Sequence, residues 1–247
     1  MNDSICRVCG GAGTGAYAEK DGYAYARCAD CGFVFLESMP AAEALAALYD
    51  GGGGVISETA YPKAGSRLRR ARVRAWRFGR YLAGRDALDI GCGGGFVAEA
   101  MRRAGARACG LDVDPQAIAY AARSFPECRF YREDMVDFAG RGLAYDFIHC
   151  SEVFEHVADI AGFMAALARI TRPGARVFVT TPDIGHWRVP GDVTAWDMFS
   201  PPAHLQFFTR RAIAILFERH GFRLRRVYFK LKPGLQVLAE RLPGVSS

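Results

Sequence analysis

Ala87-Leu88-Asp89-Ile90-Gly91-Cys92-Gly93-Gly94-Gly95-Phe96 is the stretch on which the reading of this chain turns. An apolar run ends in an acid, passes through a glycine-rich turn and enters an alanine-rich helical pattern, Val97 to Ala104. Glycine admits positive φ and lets a ligand approach the main chain, and the helix that follows begins with free N–H groups. Gly91, Gly93 and Gly95 alone are a weak signal, because this spacing arises by chance and in several nucleotide-binding families.

The context sharpens it. Ala108-Cys109-Gly110-Leu111 reads as a second strand ending in Asp112, followed by a helix opened by Asp114 and Pro115. Gly91 and Asp112 are 21 positions apart, and an acid about 20 residues after the glycines is where nucleotide-binding βαβ units hold a ribose diol. Asp114 before Pro115 fits a helix N-cap, which frees Asp112 from that task. A third acid, Asp134, follows Arg129-Phe130-Tyr131.

From Asp86 the chain alternates strand and helix, which predicts a parallel sheet with right-handed crossovers. The expected strands are 87–90, 108–111, 128–131, 147–150, 176–180 and 223–229; the expected helices are 96–104, 115–124, 160–170 and 210–220. Arg172-Pro173-Gly174 reads as a turn into the fifth strand, and His220-Gly221 as a helix end.

LDIGCGGG (88–95), GLDVDP (110–115), REDMVDF (132–138), EVFEHV (152–157) and TRPGARVFVTTPD (171–183) occur in this order. Together they resemble the class I S-adenosylmethionine-dependent methyltransferases over roughly residues 67 to 230. The resemblance implies an α/β fold with a Rossmann-like, doubly wound, mostly parallel sheet. It implies that Asp89, Gly91, Gly93 and Gly95 surround the methionine end of S-adenosylmethionine. Asp112 would accept both ribose hydroxyls, Asp134 and Met135 would meet the adenine, and Val113 and Ser151 would complete the cofactor's surroundings. Class I sheets finish with a two-strand hairpin, the last strand antiparallel. Here only Lys232-Pro233-Gly234 and an amphipathic pattern, Leu235 to Leu242, follow the sixth strand; whether they form that strand is left open.

The methyl acceptor is expected at Cys150-Ser151-Glu152-Val153-Phe154-Glu155-His156-Val157. Methyl transfer is an in-line displacement, so the enzyme supplies approach geometry and, for a hydroxyl acceptor, a base. Glu152 and His156 would share a face if the segment is helical. His156 is the leading base candidate, since an imidazole titrates near ~6.5; the alternative is that the pair braces the helix. No trio of oxygen ligands for a catalytic metal is evident. The polar-aromatic insertion Asp183 to Phe208 reads as a functional loop or lid, with His186, Trp187, Trp196 and His204 as a candidate substrate wall and second base. Its end, AHLQFFT (203–209), is similar to the EHLQFFT-type segment of small-molecule, sugar and ubiquinone-type O-methyltransferases, with alanine in place of the acid. Thr181-Pro182-Asp183 departs in the same way from a TPN-type segment.

Cys6-Arg7-Val8-Cys9-Gly10 and Cys28-Ala29-Asp30-Cys31-Gly32 are two CxxC pairs 18 residues apart, the spacing of a four-cysteine zinc ribbon. Residues 23–27 and 33–36 read as strands of a sheet too small to fold without a metal. A redox dithiol is the competing reading, but its usual thioredoxin-like setting is missing. A closed set of four cysteines leaves no open coordination position, so this zinc is expected to be structural. A zinc ribbon ahead of such a domain resembles bacterial sugar and natural-product methyltransferases. The organisation expected is a ribbon over 1–38, a helical linker or lid over 39–66 and the methyltransferase domain over 67–247. Within the linker, residues 40–49 read as helix, Gly51 to Gly54 as a joint, and Tyr61 as a cofactor contact. Ser66 to Leu82 carries seven arginines, and Leu68, Val73, Trp76 and Tyr81 suggest a buried stripe.

The chain has 247 residues, 51% hydrophobic and 23% charged, with net charge +6. That suits a globular protein and permits nucleic acid without demanding it. No apolar run approaches a membrane span and the start lacks a signal peptide's hydrophobic region, so a cytoplasmic protein with no membrane partner and reduced cysteines is expected. The leading reading is methyl transfer to a small-molecule hydroxyl on a sugar or other secondary metabolite. RNA base methylation is the enzymatic rival, although SEVF (151–154) replaces the (D/N/S)PP(Y/F) signature. A non-catalytic ribbon protein is a third reading.

Overall fold

The computed structural model describes residues 5–41 and 61–244. The helix expected over 40–49 and the glycine joint at 51–54 lie, apart from the helix's first two residues, outside them. A three-stranded antiparallel unit comes first: β1 (Thr14–Lys20), β2 (Tyr23–Cys28) and β3 (Val34–Leu36). Helices α1 (Ala64–Arg77) and α2 (Gly79–Leu82) follow. Then come β4 (Asp86–Ile90), α3 (Phe96–Arg103), β5 (Arg107–Asp112), α4 (Pro115–Ser124), β6 (Arg129–Arg132) and α5 (Met135–Ala139). The chain continues through β7 (Tyr145–Ser151), α6 (Ile160–Ile170) and β8 (Thr171–Thr181). After a long connection it closes with β9 (Gln206–Phe207), α7 (Arg210–Arg219), β10 (Phe222–Val227) and β11 (Leu235–Arg241).

The large sheet has seven strands in the order β10-β11-β8-β7-β4-β5-β6. Its β8-to-β6 portion is parallel, while β11 pairs antiparallel with both β8 and β10. The question left open by Leu235 to Leu242 is thereby answered: the closing strand is present and inserted between β8 and β10. The expected turn at Arg172-Pro173-Gly174 is an excursion inside β8, because Tyr145 pairs with Thr171 but Phe147 pairs with Arg176.

Side chains alternate across the sheet. Ala87, Phe147, Phe178 and Leu238 face a core shared with Ala71 and Ala75 of α1, Leu82 of α2 and Met101 of α3. Leu88, Ile148 and Val177 face the opposite core with Phe138 of α5, Leu167 of α6 and Phe217 of α7. Of the stripe expected over Ser66 to Leu82, Leu68 and Tyr81 pack half-buried against this core, while Val73 and Trp76 do not and are corrected here. Alanines 71 and 75 are the buried positions, whereas Val73 is 65% and Trp76 is 82% exposed. Small residues let α1 approach the sheet closely, so the large apolar side chains on the opposite face stay outside.

The small unit does not stand apart. Its β3 pairs with β9, Val34 against Phe207 and Phe35 against Gln206, and Leu36 N–H donates to Leu205 O at 2.9 Å. Tyr25, Val34 and Leu36 form one core with Ile184, Val193, Trp196, Phe199, Leu205 and Phe207 of the long connection. Thr209 Oγ1 accepts from Ala212 N at the start of α7 and donates to Cys31 O at 2.6 Å. Thr209→Val removes both bonds, and we expect it to cost about 1–2 kcal/mol, read as a lowered urea midpoint at unchanged m-value.

Candidate active site

The cleft lies beyond the carboxyl ends of β4, β5 and β7, and its floor is the glycine turn. Gly91 N and Cys92 N both donate to Leu111 O, at 2.8 and 3.1 Å, stitching the turn to β5. Gly91 has φ 67°, and a Cβ there would lie 2.4 Å from Val153 Cγ2. Gly95, at φ 77°, precedes α3 with the Phe130 ring where its Cβ would be. Any larger residue at either position meets both strain and collision. Cys92 is buried beneath the turn, and burial with the Asp89 and Asp112 charges pushes its thiol well above the usual range.

At the end of β5, Asp112 Oδ2 accepts from Gly93 N at 2.7 Å and Oδ1 from Asp114 N at 3.0 Å. Asp114 caps α4, accepting from Gln116 N and Ala117 N. Asp112 is therefore free of capping and held face-on to the cleft, its carboxyl raised above the usual range by burial. The cavity beside it measures about 590 Å³, and Gly91, Val113, Asp134, Met135, Glu152 and His156 share its wall. Asp89, Gly93, Gly95, Ser151 and His204 stand behind or beside that wall. Asp134 does double duty: its Oδ1 caps α5 through Val136 N and Asp137 N at 2.7 and 3.0 Å. Tyr61 covers the turn; an added Cβ at Gly94 would lie 2.7 Å from its ring, and its buried hydroxyl has no partner among the described residues.

Asp89 faces away from solvent. Its Oδ1 accepts from His149 Nδ1 at 2.7 Å, and His149 Nε2 lies 3.1 Å from Arg74 Nη1. A guanidinium only donates, so Nε2 carries the lone pair and Nδ1 the proton. Sequence reading missed His149. The signal available was register: Asp89 and His149 are direct neighbours on β4 and β7. Arg74 is thus committed inward, while Arg67 lies over the Tyr61 ring and Arg77 over Tyr228.

The lip is built differently from the expected helix. Glu152 has φ 56°, a left-handed conformation for a non-glycine residue, and only a single 3-10 turn, Phe154–His156, follows. Glu152 and His156 therefore share a cavity wall rather than a helix face. Thr180 Oγ1 donates to Glu152 Oε1 at 2.6 Å and so accepts from Ser151 Oγ at 2.6 Å. His156 Nδ1 lies 2.7 Å from Ala203 O and His204 Nδ1 2.5 Å from Met198 O. Carbonyls only accept, so both imidazoles carry the Nδ1 proton and present a bare Nε2. Burial lowers both below their ordinary value of 6.5. The rings stand 4.7 Å apart. Glu155 is fully buried; its Oε2 accepts from Thr181 Oγ1, its Oε1 has no partner among the described residues, and burial raises its carboxyl well above the usual range.

Glu155, His156 and His204 each bring one ligand atom within 4.8 Å of the others. The sequence showed no trio of oxygens, and the structure supplies a carboxylate with two imidazoles instead. The four expected wall residues divide: His204 meets His156, Trp196 is buried against the small unit, Trp187 is exposed, and half-buried His186 is engaged by Lys230 O and Arg188 N. Trp196 is thereby corrected, because the aromatic core it joins leaves it no face toward the cleft.

Cys6, Cys9, Cys28 and Cys31 converge within 4.8 Å. Cys6 and Cys31 Sγ are 3.7 Å apart and Cys9 and Cys28 Sγ 3.5 Å. A tetrahedron with ~2.3 Å metal–sulfur bonds has edges of about 3.8 Å, so the four thiols fit zinc with little movement. Gly11 N also points at Cys9 Sγ from 3.4 Å.

A family model described as a methyltransferase domain matches residues 51–227. The ubiquinone biosynthesis O-methyltransferases of Sodalis glossinidius and Aromatoleum aromaticum are 40% and 38% identical over 105 residues. Each match takes in 40% of this chain, and 42% and 45% of those proteins, so the chain spans less than half the length of these curated relatives. Among solved structures, magnesium protoporphyrin IX methyltransferase from Synechocystis PCC 6803 with bound SAH aligns with a TM-score of 0.56 at 16% identity, over 81% of this chain and 98% of that one. An S-adenosylmethionine-dependent methyltransferase from Mesorhizobium loti aligns with a TM-score of 0.56 at 20% identity, over 69% and 98%. Likeness at that identity is likeness of fold.

The buried Asp89–His149 contact carries a direct test. His149→Ala strands a desolvated carboxylate and should cost about 2–3 kcal/mol, more than Arg74→Ala, whose guanidinium is partly solvated. Chemical denaturation of both variants reads the difference.

Proposed function

The chain belongs to the methyltransferase-domain family, and from that premise we propose that it transfers the methyl group of S-adenosylmethionine to a hydroxyl of a small-molecule acceptor. The observation that carries this reading is Asp112, relieved of capping by Asp114 and oriented by two backbone N–H donors toward a cavity of cofactor size. Its two oxygens keep lone pairs for the two ribose hydroxyls. Gly91, Gly93 and Gly95 offer close main-chain approach to the methionine end, with Asp89 steadied beneath by His149. The orphaned Tyr61 hydroxyl would supply a hydrogen-bond donor to the cofactor beside the glycine turn. The second oxygen of Asp134 and the Met135 backbone would meet the adenine, with Val113 and Ser151 alongside. When bound, the cofactor's sulfonium supplies an electrophilic methyl group.

On the acceptor side, the bare Nε2 of His156 takes the hydroxyl proton, and His204 and Glu152 flank it. The similarity to ubiquinone biosynthesis O-methyltransferases supports oxygen as the acceptor atom; a sugar or secondary-metabolite scaffold remains our reading of its carrier. Glu155, His156 and His204 also suit a divalent cation, which when bound would acidify the acceptor hydroxyl. The orphaned Glu155 Oε1 favours this second reading. Glu155→Gln separates the two, since turnover by an unaided imidazole base survives it while cation-assisted turnover is lost and the four cysteines keep their metal. Cys6, Cys9, Cys28 and Cys31 would hold a structural zinc that secures β3 to β9, and through β9 the loop bearing His204.

Calorimetry with S-adenosylhomocysteine tests the cofactor site. Asp112→Ala should weaken binding about 10²- to 10⁴-fold, the loss of two hydrogen bonds to a charged acceptor at ~1.5–3 kcal/mol each. Unaltered binding would overturn the assignment. Because burial lowers the His156 pKa, the neutral base dominates at pH 7; turnover should be flat near neutrality and fall only as pH drops below 6.5. His156→Ala should cost about 10²- to 10⁴-fold in single-turnover rate. For the ribbon, Cys28→Ser with Cys31→Ser should release the metal and speed amide exchange across residues 193–207, while residues 87–95 keep their protection.

A further inference from the structure

Strands β8 and β10 end, and β11 begins, at the same edge of the sheet as the cleft. The β10–β11 connection projects there as Phe229-Lys230-Leu231-Lys232, apolar and cationic by turns. Phe229 is 80% exposed and Leu231 is 59% exposed. A second loop, leaving the end of β8, lies against it: His186 Nε2 donates to Lys230 O at 3.1 Å. That loop carries Trp187, 69% exposed, with the Arg188 guanidinium 4.6 Å from its ring. Arg77 stacks 4.1 Å from Tyr228 and brings the end of α1, with its exposed Trp76, to the same flank.

Single exposed apolar residues are ordinary. Here three large ones sit on two joined loops, and among the described residues none of Arg188, Lys230 and Lys232 is in an ion pair. Such a face calls for an occupant both apolar and anionic. A second copy paired about a two-fold axis would set cation against cation. Nucleic acid asks for a cationic groove lined by flat stacking surfaces, whereas Leu231 and Phe229 stand on a projecting tip. We propose that this corner docks the protein on an anionic lipid surface. Phe229, Leu231 and Trp187 enter the boundary between headgroups and acyl chains, and Lys230, Lys232 and Arg188 remain level with the phosphates. The chain then lies on the bilayer without crossing it; among the described residues no helix is long and apolar enough to span one.

The full zinc-loaded protein is to be sedimented with vesicles of phosphatidylcholine alone and with vesicles containing phosphatidylglycerol. Association with the anionic vesicles only, weakened by salt, is expected. Phe229→Ser with Leu231→Ser, and separately Lys230→Glu with Lys232→Glu, should each reduce vesicle affinity by about tenfold or more. Both variants should bind S-adenosylhomocysteine as the parent does, which separates failure here from failure of the methyltransferase reading or of folding. Variants that sediment like the parent would overturn the proposal. So would absence of vesicle binding, with an RNA oligonucleotide captured instead or dimers that both variants dissociate.

Discussion

Parallel pairing of β4 between β5 and β7 is the constraint on which the site depends. It lines up the carboxyl ends of three strands, so that Gly91, Asp112 and Ser151, distant in sequence, emerge on one edge. The bond from Gly91 N to Leu111 O extends this ladder one step beyond the strands and fixes the glycine turn. Once the turn is fixed, Gly93 N can meet Asp112, and Val153 can fill the space a side chain at Gly91 would need. Positive φ at three glycines is therefore a requirement of strand register.

The parts legible from sequence are those whose chemistry is local. Asp114 before Pro115 announces a cap, and that alone frees Asp112. The two CxxC pairs announce a metal geometry that the sulfur positions match. The parts that escaped depend on what lies across the fold. His149 gives no local sign of its role, since an isolated histidine in an apolar strand acquires its partners only when β7 is laid beside β4. Trp76 was misread because periodicity identifies a face but not its direction; Ala71 and Ala75, small enough for close approach, took the inner side. The closing strand was ambiguous for a related reason, because seven residues buried on both faces carry no clear period of two.

The small cysteine-bearing unit and the connection after β8 make sense only together. The connection after β8 lacks periodicity and regular helix, yet Trp196, Phe199 and Phe207 in it are buried. They are buried by Tyr25, Val34 and Leu36, some 170 residues earlier in the chain. Tyr25 donates its hydroxyl to His204 O at 2.6 Å, so the same contact that seals this core also sets the backbone at the second imidazole. The small unit is in effect the second wall of a loop that could not order itself.

The position of β11 has a consequence for the order of assembly. The strand that sits in the interior of the sheet is also the last of that sheet's seven strands along the chain. Until it is in hand, the flank of β8 presents a row of unpaired amides and carbonyls, the kind of edge that invites another chain. The cofactor half of the sheet, β4 to β7, is complete by Ser151 and can settle early, in the way that chains organise from the amino end during synthesis. The other half, β8, β10 and β11, waits for residues 235–241. A nascent chain therefore passes through a stage in which one half of the sheet, with the glycine turn at its edge, stands built while the other is still an open seam.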